Sequence, residues 1–393
     1  MPTNKKRYFV NIYFLLWCLY YSQGTLYETG SIISQSLLAI LLLLSIIHFV
    51  RTNDKSTPSP LKWLNLLIVM FVVYGLIGIV NGDVFNVGGM TNIGYVKNIL
   101  VSFLPVYSFY YFTKNGEIDE SQLFAWTIIL LVVYSFSYLN TRLSELNDPL
   151  SAAVVDSEDK TNNAGYLIAS LIPLVFFLGK KPLIQYSALA LIMFFTVSSM
   201  KRGAILVGAA MMLILVLSSL KGRNARQKLA IGALLVGIVY VGVYYVRYLL
   251  STSDFFNMRL EMTLEGDSSN RDDIYTFFYR YFISQADIGR LFLGSGANAT
   301  LKIYGAFAHN DWLEIAINQG VLGLVLYLGY WISQIKNWRK VKSNKAVYLV
   351  LGLVLFYMLF RSFVSMSYMM VPLSCSVALG YCLAKSSTLY LSK

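Results

Sequence analysis

The chain is poor in the residues that build metal centres and disulfide frameworks. It has two histidines, His48 and His309, and three cysteines, Cys18, Cys375 and Cys382, in 393 residues. All three cysteines lie in apolar runs, and Cys375 and Cys382 stand seven apart on one expected helix, too far along it to bridge. That set cannot assemble a disulfide scaffold or a usual zinc site, so no metal or other cofactor is expected. Charge is scarce too: Asp, Glu, Lys and Arg make up 13% of the chain, against 56% hydrophobic residues. No GxxxxGK[ST] loop occurs, so ATP is not expected. Low-complexity tracts and an internal repeat linking the two halves are also missing, which weighs against an inverted-repeat transporter.

What the chain does have is a succession of apolar runs of about 20 residues, the length that crosses a bilayer core. The runs are continuous rather than alternating, which excludes a β-barrel. The expected fold is an all-α polytopic membrane protein, one integral domain over 1–393. About twelve transmembrane helices fall at roughly 8–22, 31–50, 62–80, 94–112, 122–139, 164–178, 183–199, 203–220, 229–250, 312–334, 346–360 and 366–384. The start, MPTNKKRYFVNIYFLLWCLYYSQG, is basic and then apolar with no small-x-small site after it, and reads as a retained first span.

A net charge of +12 invites a nucleic-acid partner, but its distribution argues otherwise. With the N-terminus inside and twelve spans, the inside receives 20 of the 32 Lys and Arg, in clusters such as Lys5 to Arg7, Lys221 to Lys228 and Lys336 to Lys345. It receives only Asp54, Glu117, Asp119 and Glu120 of the 20 acids. The remaining 12 basic and 16 acidic residues lie outside. This satisfies the positive-inside rule with both termini cytoplasmic, and no nucleic-acid partner is expected. Two outside segments are sizeable: an acidic loop over 140–163 and a large loop over 251–308.

Within the large loop, Arg271 to Ala286 patterns as an amphipathic helix. Ser268, Ser269 or Asn270 can cap it, and Asp272 and Asp273 sit in its first turn. Its stripe of Ile274, Tyr275, Phe278 and Phe282 suits the bilayer surface. Gly289, Gly294 and Gly296 then turn the chain.

Positive charge on the outer face is the unexplained feature. Lys201 and Arg202 sit on an outer rim in VSSMKRGAIL, Arg271, Arg280 and Arg290 lie in the large loop, and Arg361 ends the eleventh span. Arginine forks suit a lipid pyrophosphate, whereas the plainer alternative is pairing with nearby acids or phospholipid headgroups. The plainer alternative fits Arg290 and Arg259, and a ligand role fits Arg202, which has no acid near it in sequence. Arg271 and Arg280 are nine apart and point to opposite sides of one helix, so they do not share a phosphate. Arg271 lies on the side of the apolar stripe and is the better ligand, while Arg280 lies beside Asp273, where an ion pair is plausible.

His309 precedes Asn310 and Asp311 at an outer helix start, with Glu314 as a capping-box partner to Asp311. The helix N-terminus favours neutral imidazole and attracts anions, which suits a base that takes a proton from an attacking sugar hydroxyl. A capping or packing histidine is the competing reading. His48, at the inner end of the second span, is expected to be interfacial and without a role.

Three segments together resemble the O-antigen polymerase and ligase family of bacterial envelope synthesis, the Wzy and WaaL proteins. They are SSMKRGA (Ser198 to Ala204), SSNRDDIY (Ser268 to Tyr275) and GSGANATLKIYGAFAHNDWLEIAINQGVLGL (Gly294 to Leu324), spanning about 185–335. The family's arginine-x15-Gly pattern can also be laid on Arg280 to Gly296. It has no counterpart in the Asn140 loop, which does not support a two-loop capture scheme. The resemblance implies a metal-independent, GT-C-like glycosyltransferase at the outer face of the bacterial inner membrane. Its implied donor is an undecaprenyl-pyrophosphate-linked oligosaccharide, and in a polymerase the acceptor is a second lipid-linked repeat. It implies His309 as base, with Arg202 and Arg271 holding the departing pyrophosphate. Lys201, Arg280, Asn310 and Arg361 are the further substrate-binding candidates. A chain-length regulator and a flippase would be its partners besides the bilayer. Polymerase is the first expectation and ligase onto lipid A core the second. A flippase of lipid-linked oligosaccharide is a reading from another class, and a scaffold protein is a fourth.

Overall fold

The computed structural model describes residues 4–55, 57–81, 90–147, 160–199, 201–221, 224–252 and 271–391, with Asn257 and Glu261. It is helical throughout and holds no strand among the described residues beyond an isolated bridge at Gln23 and Tyr27. Each of the twelve apolar stretches overlaps a helix. Among the described residues, six helices are long and apolar enough to cross a membrane: Ile32–Thr52, Ser59–Val80, Glu120–Asn140, Arg202–Leu220, Asp311–Ser343 and Lys345–Val364. The chain is therefore a multi-pass, all-α membrane protein.

Its described residues divide into two compact units, 1–13 with 35–118 and 269–393, and 14–34 with 119–268. The first unit contains α2 (Ile32–Thr52, from Gln35), α3 (Ser59–Val80) and α4 (Asn92–Lys114), with the start of α1 (Asn4–Tyr21). The second holds the rest of α1, then α5 (Glu120–Asn147), α6 (Lys160–Ala169), α7 (Ile172–Val175), α8 (Pro182–Ser198), α9 (Arg202–Leu220) and α10 (Ala225–Thr252). The chain returns to the first unit with α11 (Arg271–Ile283), α12 (Ile288–Leu293), α13 (Ala299–Tyr304), α14 (Asp311–Lys340), α15 (Lys345–Val364) and α16 (Leu373–Leu391).

Several elements depart from the sequence reading for local reasons. The sixth stretch is not one helix but α6, α7 and a 3-10 turn at Phe176–Leu178, because Pro173 has no N–H to bond the preceding turn. The twelfth starts seven residues late, at Leu373, since Pro372 disfavours helix just before it. Helix α5 runs into the polar 140–163 segment as far as Asn147, and 148–159 lie outside the described residues. Arg259 and the cap candidates Ser268, Ser269 and Asn270 also lie outside them.

The amphipathic helix forms as α11, but its stripe faces protein. Ile274 and Phe278 are buried against Ala299, Ala308 and Ile317, with Tyr275 and Phe282 packed alongside. A bilayer-surface role for that face is therefore corrected: α13 and α14 already cover it. His48, near the end of α2, is packed inside the protein. It is 5% exposed, its Nδ1 lies 3.0 Å from Ser108 Oγ, and its ring stacks on Tyr111.

Candidate functional site

Helix α14 is capped by Asn310, whose Oδ1 accepts from the amides of Trp312 (2.9 Å) and Leu313 (3.1 Å). The cap sits one residue earlier than the capping-box pattern assumes, so Glu314 falls a position too deep to reach back to it. Glu314 is instead fully buried. It accepts from the Ala308 amide at 2.8 Å, from the Thr300 hydroxyl and from Asn318 Nδ2 at 3.2 Å. This pins the backbone immediately before His309. Asp311, also fully buried, accepts from the Ser367 amide at 2.8 Å, from the Ser367 hydroxyl and from the Tyr327 hydroxyl at 2.8 Å.

Between these anchors His309 is half-buried and holds a left-handed backbone, φ 50°. A non-glycine residue rarely takes that conformation and keeps it only where its neighbours fix it. The Tyr275 hydroxyl lies 3.2 Å from the His309 carbonyl oxygen and 3.3 Å from that of Phe363, so one proton serves both. Asn310 Nδ2 donates to the same Phe363 carbonyl at 3.1 Å, and Arg271 Nη1 donates to Val364 O at 2.7 Å. The last carbonyls of α15, which have no partner within the helix, are thus met by Arg271, Tyr275 and Asn310. A cation there also complements the negative end of the helix dipole. Burial raises the Tyr275 phenol above the ordinary tyrosine value, with Arg271 opposing and Asp272 adding to the rise. It therefore stays a donor at neutral pH.

The first unit therefore gathers His309, Asn310 and Arg271 around the end of α15. Arg361 lies one turn earlier on α15 but is 6% exposed. Its Nη1 donates to Met370 O at 3.1 Å and its Nη2 to Met366 O at 2.6 Å, holding the turn that Asp311 grips through Ser367. Arg280 is exposed, and no ion pair joins it to Asp273 among the described residues. Arg290 pairs with Asp287 at 3.6 Å. Lys201 and Arg202 belong to the second unit. Lys201 is buried at the N-cap position of α9, and Arg202 is that helix's first residue.

A break in α14 completes the support. Gly320 has φ 65° and ψ −159° inside the helix. Two carbonyls near the break, Ile317 O and Asn318 O, accept from the amides of Ser295 (2.8 Å) and Gly296 (3.0 Å). The Gly294–Ser295–Gly296 turn thus plugs the break. It fits because neither Gly294 nor Gly320 has a side chain: a Cβ at Gly294 would stand 2.4 Å from Asn318 C, and one at Gly320 2.6 Å from Gly294 N. Gly294 itself is left-handed, φ 76°.

Sequence reasoning passed over Tyr275, which it counted only as apolar, and the anchoring roles of Asp311 and Glu314. The signal for the acids was present: ionisable residues three apart at the mouth of an apolar helix are costly unless engaged.

Residues 187–328 match the Wzy_C family model, described as O-Antigen ligase. The match runs from α8 to the middle of α14 and includes Lys201, Arg202, Arg271, Arg280, His309 and Asn310, with Arg361 beyond it. No curated protein matches the chain.

Proposed function

For a membrane chain that carries a Wzy_C domain of the O-antigen polymerase and ligase family, we propose the activity of a polysaccharide repeat-unit polymerase. The donor is an undecaprenyl-pyrophosphate-linked glycan, and the acceptor is the non-reducing-end sugar of another lipid-linked repeat. His309 takes the proton of the acceptor hydroxyl as that oxygen attacks the donor's anomeric carbon. The bond to pyrophosphate breaks, and Arg271 and Arg202 stabilise the charge that leaves, an effect that counts most where water is scarce. Lys201, Asn310 and Arg280 serve as outer contacts for the substrate, and Arg361 serves by holding the 366–370 turn. In this reading the chain has twelve spans in a GT-C-like arrangement with both termini in the cytoplasm, the chemistry takes place at the outer face of the inner membrane, and neither a metal nor a cofactor enters the reaction. A chain-length regulator and a flippase are the expected partners.

The observation that carries this reading is the fixed backbone of His309, tied through Tyr275 to the Phe363 carbonyl, next to the Val364 carbonyl that orients Arg271. A histidine whose backbone is held at one helix end, beside a guanidinium held at the same end, supplies the side-chain types that a base and a pyrophosphate clamp require.

The test is His309→Ala, Arg271→Ala and Arg202→Ala, each as the sole copy in cells, read by glycan chain length. A polymerase loses long chains while core still receives a single repeat. Loss of that single repeat as well identifies the ligase. A lipid-linked unit accumulating on the cytoplasmic side identifies a flippase. Normal chain lengths from all three variants at normal expression would refute the site.

A further inference from the structure

At the opposite end of α14 from His309 the first unit holds a cavity of about 790 Å³, walled by α3, α14 and the end of α16. One stripe of α14 lines it, at helical spacing. Its first half is apolar, with Val325, Leu328 and Ile332, and its second half is polar, with Ser333, Lys336, Asn337 and Lys340. At 1.5 Å per residue the stripe extends about 22 Å and changes from oily to basic once along its length. Trp63 of α3 forms the facing wall. Its ring lies so close over Gly329 that a Cβ there would stand 2.3 Å from Trp63 Cζ3.

The basic end has the chemistry of an anion site. Lys336 and Lys340 are exposed and one turn apart, so two positive charges share that face. Lys114 joins them on the lining, paired at 3.8 Å with Asp54 on its other side. Asn337, 7% exposed, lies between the two lysines in sequence and closes the floor of that end.

We infer that this groove binds an anionic phospholipid, with an acyl chain along Trp63, Val325, Leu328 and Ile332 and the phosphate between Lys336 and Lys340. Its basic end belongs to the lysine-rich connections assigned to the cytoplasmic side, where anionic headgroups are available. The inference concerns a face remote in sequence from His309. It holds whether the reaction there is polymerisation or ligation.

The test uses the full-length protein in neutral detergent, with dioleoyl-phosphatidylglycerol and dioleoyl-phosphatidylcholine as probes and lipid retention read by native mass spectrometry. Phosphatidylglycerol is expected to stay bound and phosphatidylcholine to wash off. Lys336→Gln with Lys340→Gln should weaken retention roughly ten- to thirtyfold, at about 1 kcal/mol for each lysine. Ile332→Trp, which fills the apolar half and leaves the lysines alone, should weaken it as well. Lys342→Gln with Lys345→Gln removes the same charge from the neighbouring surface and should leave retention unchanged. Equal retention of both lipids would overturn the inference, as would equal loss in the control pair. Displacement of the lipid by millimolar inorganic phosphate alone would overturn it too, because the groove would then be a site for a free anion. Variants are compared only where they elute as a single species with the wild-type protein.

Discussion

The Tyr275 hydroxyl lies 3.2 Å from the carbonyl oxygen of His309, joining a loop helix to the one histidine that opens α14. That bond, shared with Phe363 O, helps hold His309 in a left-handed backbone, φ 50°. Tyr275→Phe keeps the ring packed in the Ile274 and Phe278 cluster and removes only the hydroxyl. A lost hydrogen bond of about 1 kcal/mol corresponds to a roughly fivefold slower reaction if it acts entirely on the positioned base. Glycan elongation by the purified variant should fall by that order while its melting temperature in detergent changes little. A wild-type rate would show that the hydroxyl does not position His309.

Arg361 tests whether a guanidinium at this end of the chain serves substrate or fold. Its planar fork reaches Met366 O and Met370 O together, and a lysine cannot reproduce that geometry. Arg361→Lys should destabilise the protein by about 2 kcal/mol, since a charge-assisted bond is lost in a buried place. The expected readout is a lower melting temperature and a weaker yield, with the substrate KM unchanged in the protein that folds. A raised KM at unaltered stability would make Arg361 a substrate ligand instead.

The break at Gly320 predicts a sharp contrast between two glycines. Gly320→Ala forces a Cβ to within 2.6 Å of Leu291 O, Phe292 C and Gly294 N, all backbone, at a φ/ψ combination that glycine alone adopts easily. It should cost about 3 kcal/mol or more and abolish monodisperse elution. Gly232, inside α10, has nothing within 4 Å of a built Cβ. Gly232→Ala should therefore be neutral or stabilise by up to about 1 kcal/mol through helix propensity. Equal behaviour of the two variants in size-exclusion and melting measurements would rule out the plugged-break account.

The contrast also shows how far the sequence could be read. Apolar length and the clustering of lysines reveal a helical membrane protein, because hydropathy and charge act locally and survive without knowledge of packing. His309, Arg271 and Asn310 stand out for the same reason: each is polar at a helix start or in a polar loop. Pairing across the fold is different. Nothing in the spacing of Tyr275 tells that its hydroxyl reaches Phe363, or that the stripe beside it is covered by α13 and α14 rather than by lipid. Gly294 and Gly320 read as loop and span glycines from the sequence. Only their juxtaposition shows that one exists to accommodate the other.

Glu117 gives a pH dependence whose sign follows from its surroundings. It lies between α4 and α5, outside the spans, with 9% of its side chain exposed and Lys6 Nζ 3.7 Å away. Burial raises its carboxyl above the ordinary glutamate value, and the lysine only partly offsets the rise. In the window between the unfolded and folded values the folded protein binds more protons than the unfolded chain, so stability falls as pH rises through that window. The stabilising contribution is complete below the ordinary glutamate value and gone above the raised one. Melting temperature should therefore climb as pH is lowered toward the ordinary glutamate value, by a component that Glu117→Gln flattens. Lys6→Gln removes the offsetting charge and should steepen the slope and extend it to higher pH. A slope identical in the wild type and Glu117→Gln would assign the dependence to other carboxylates.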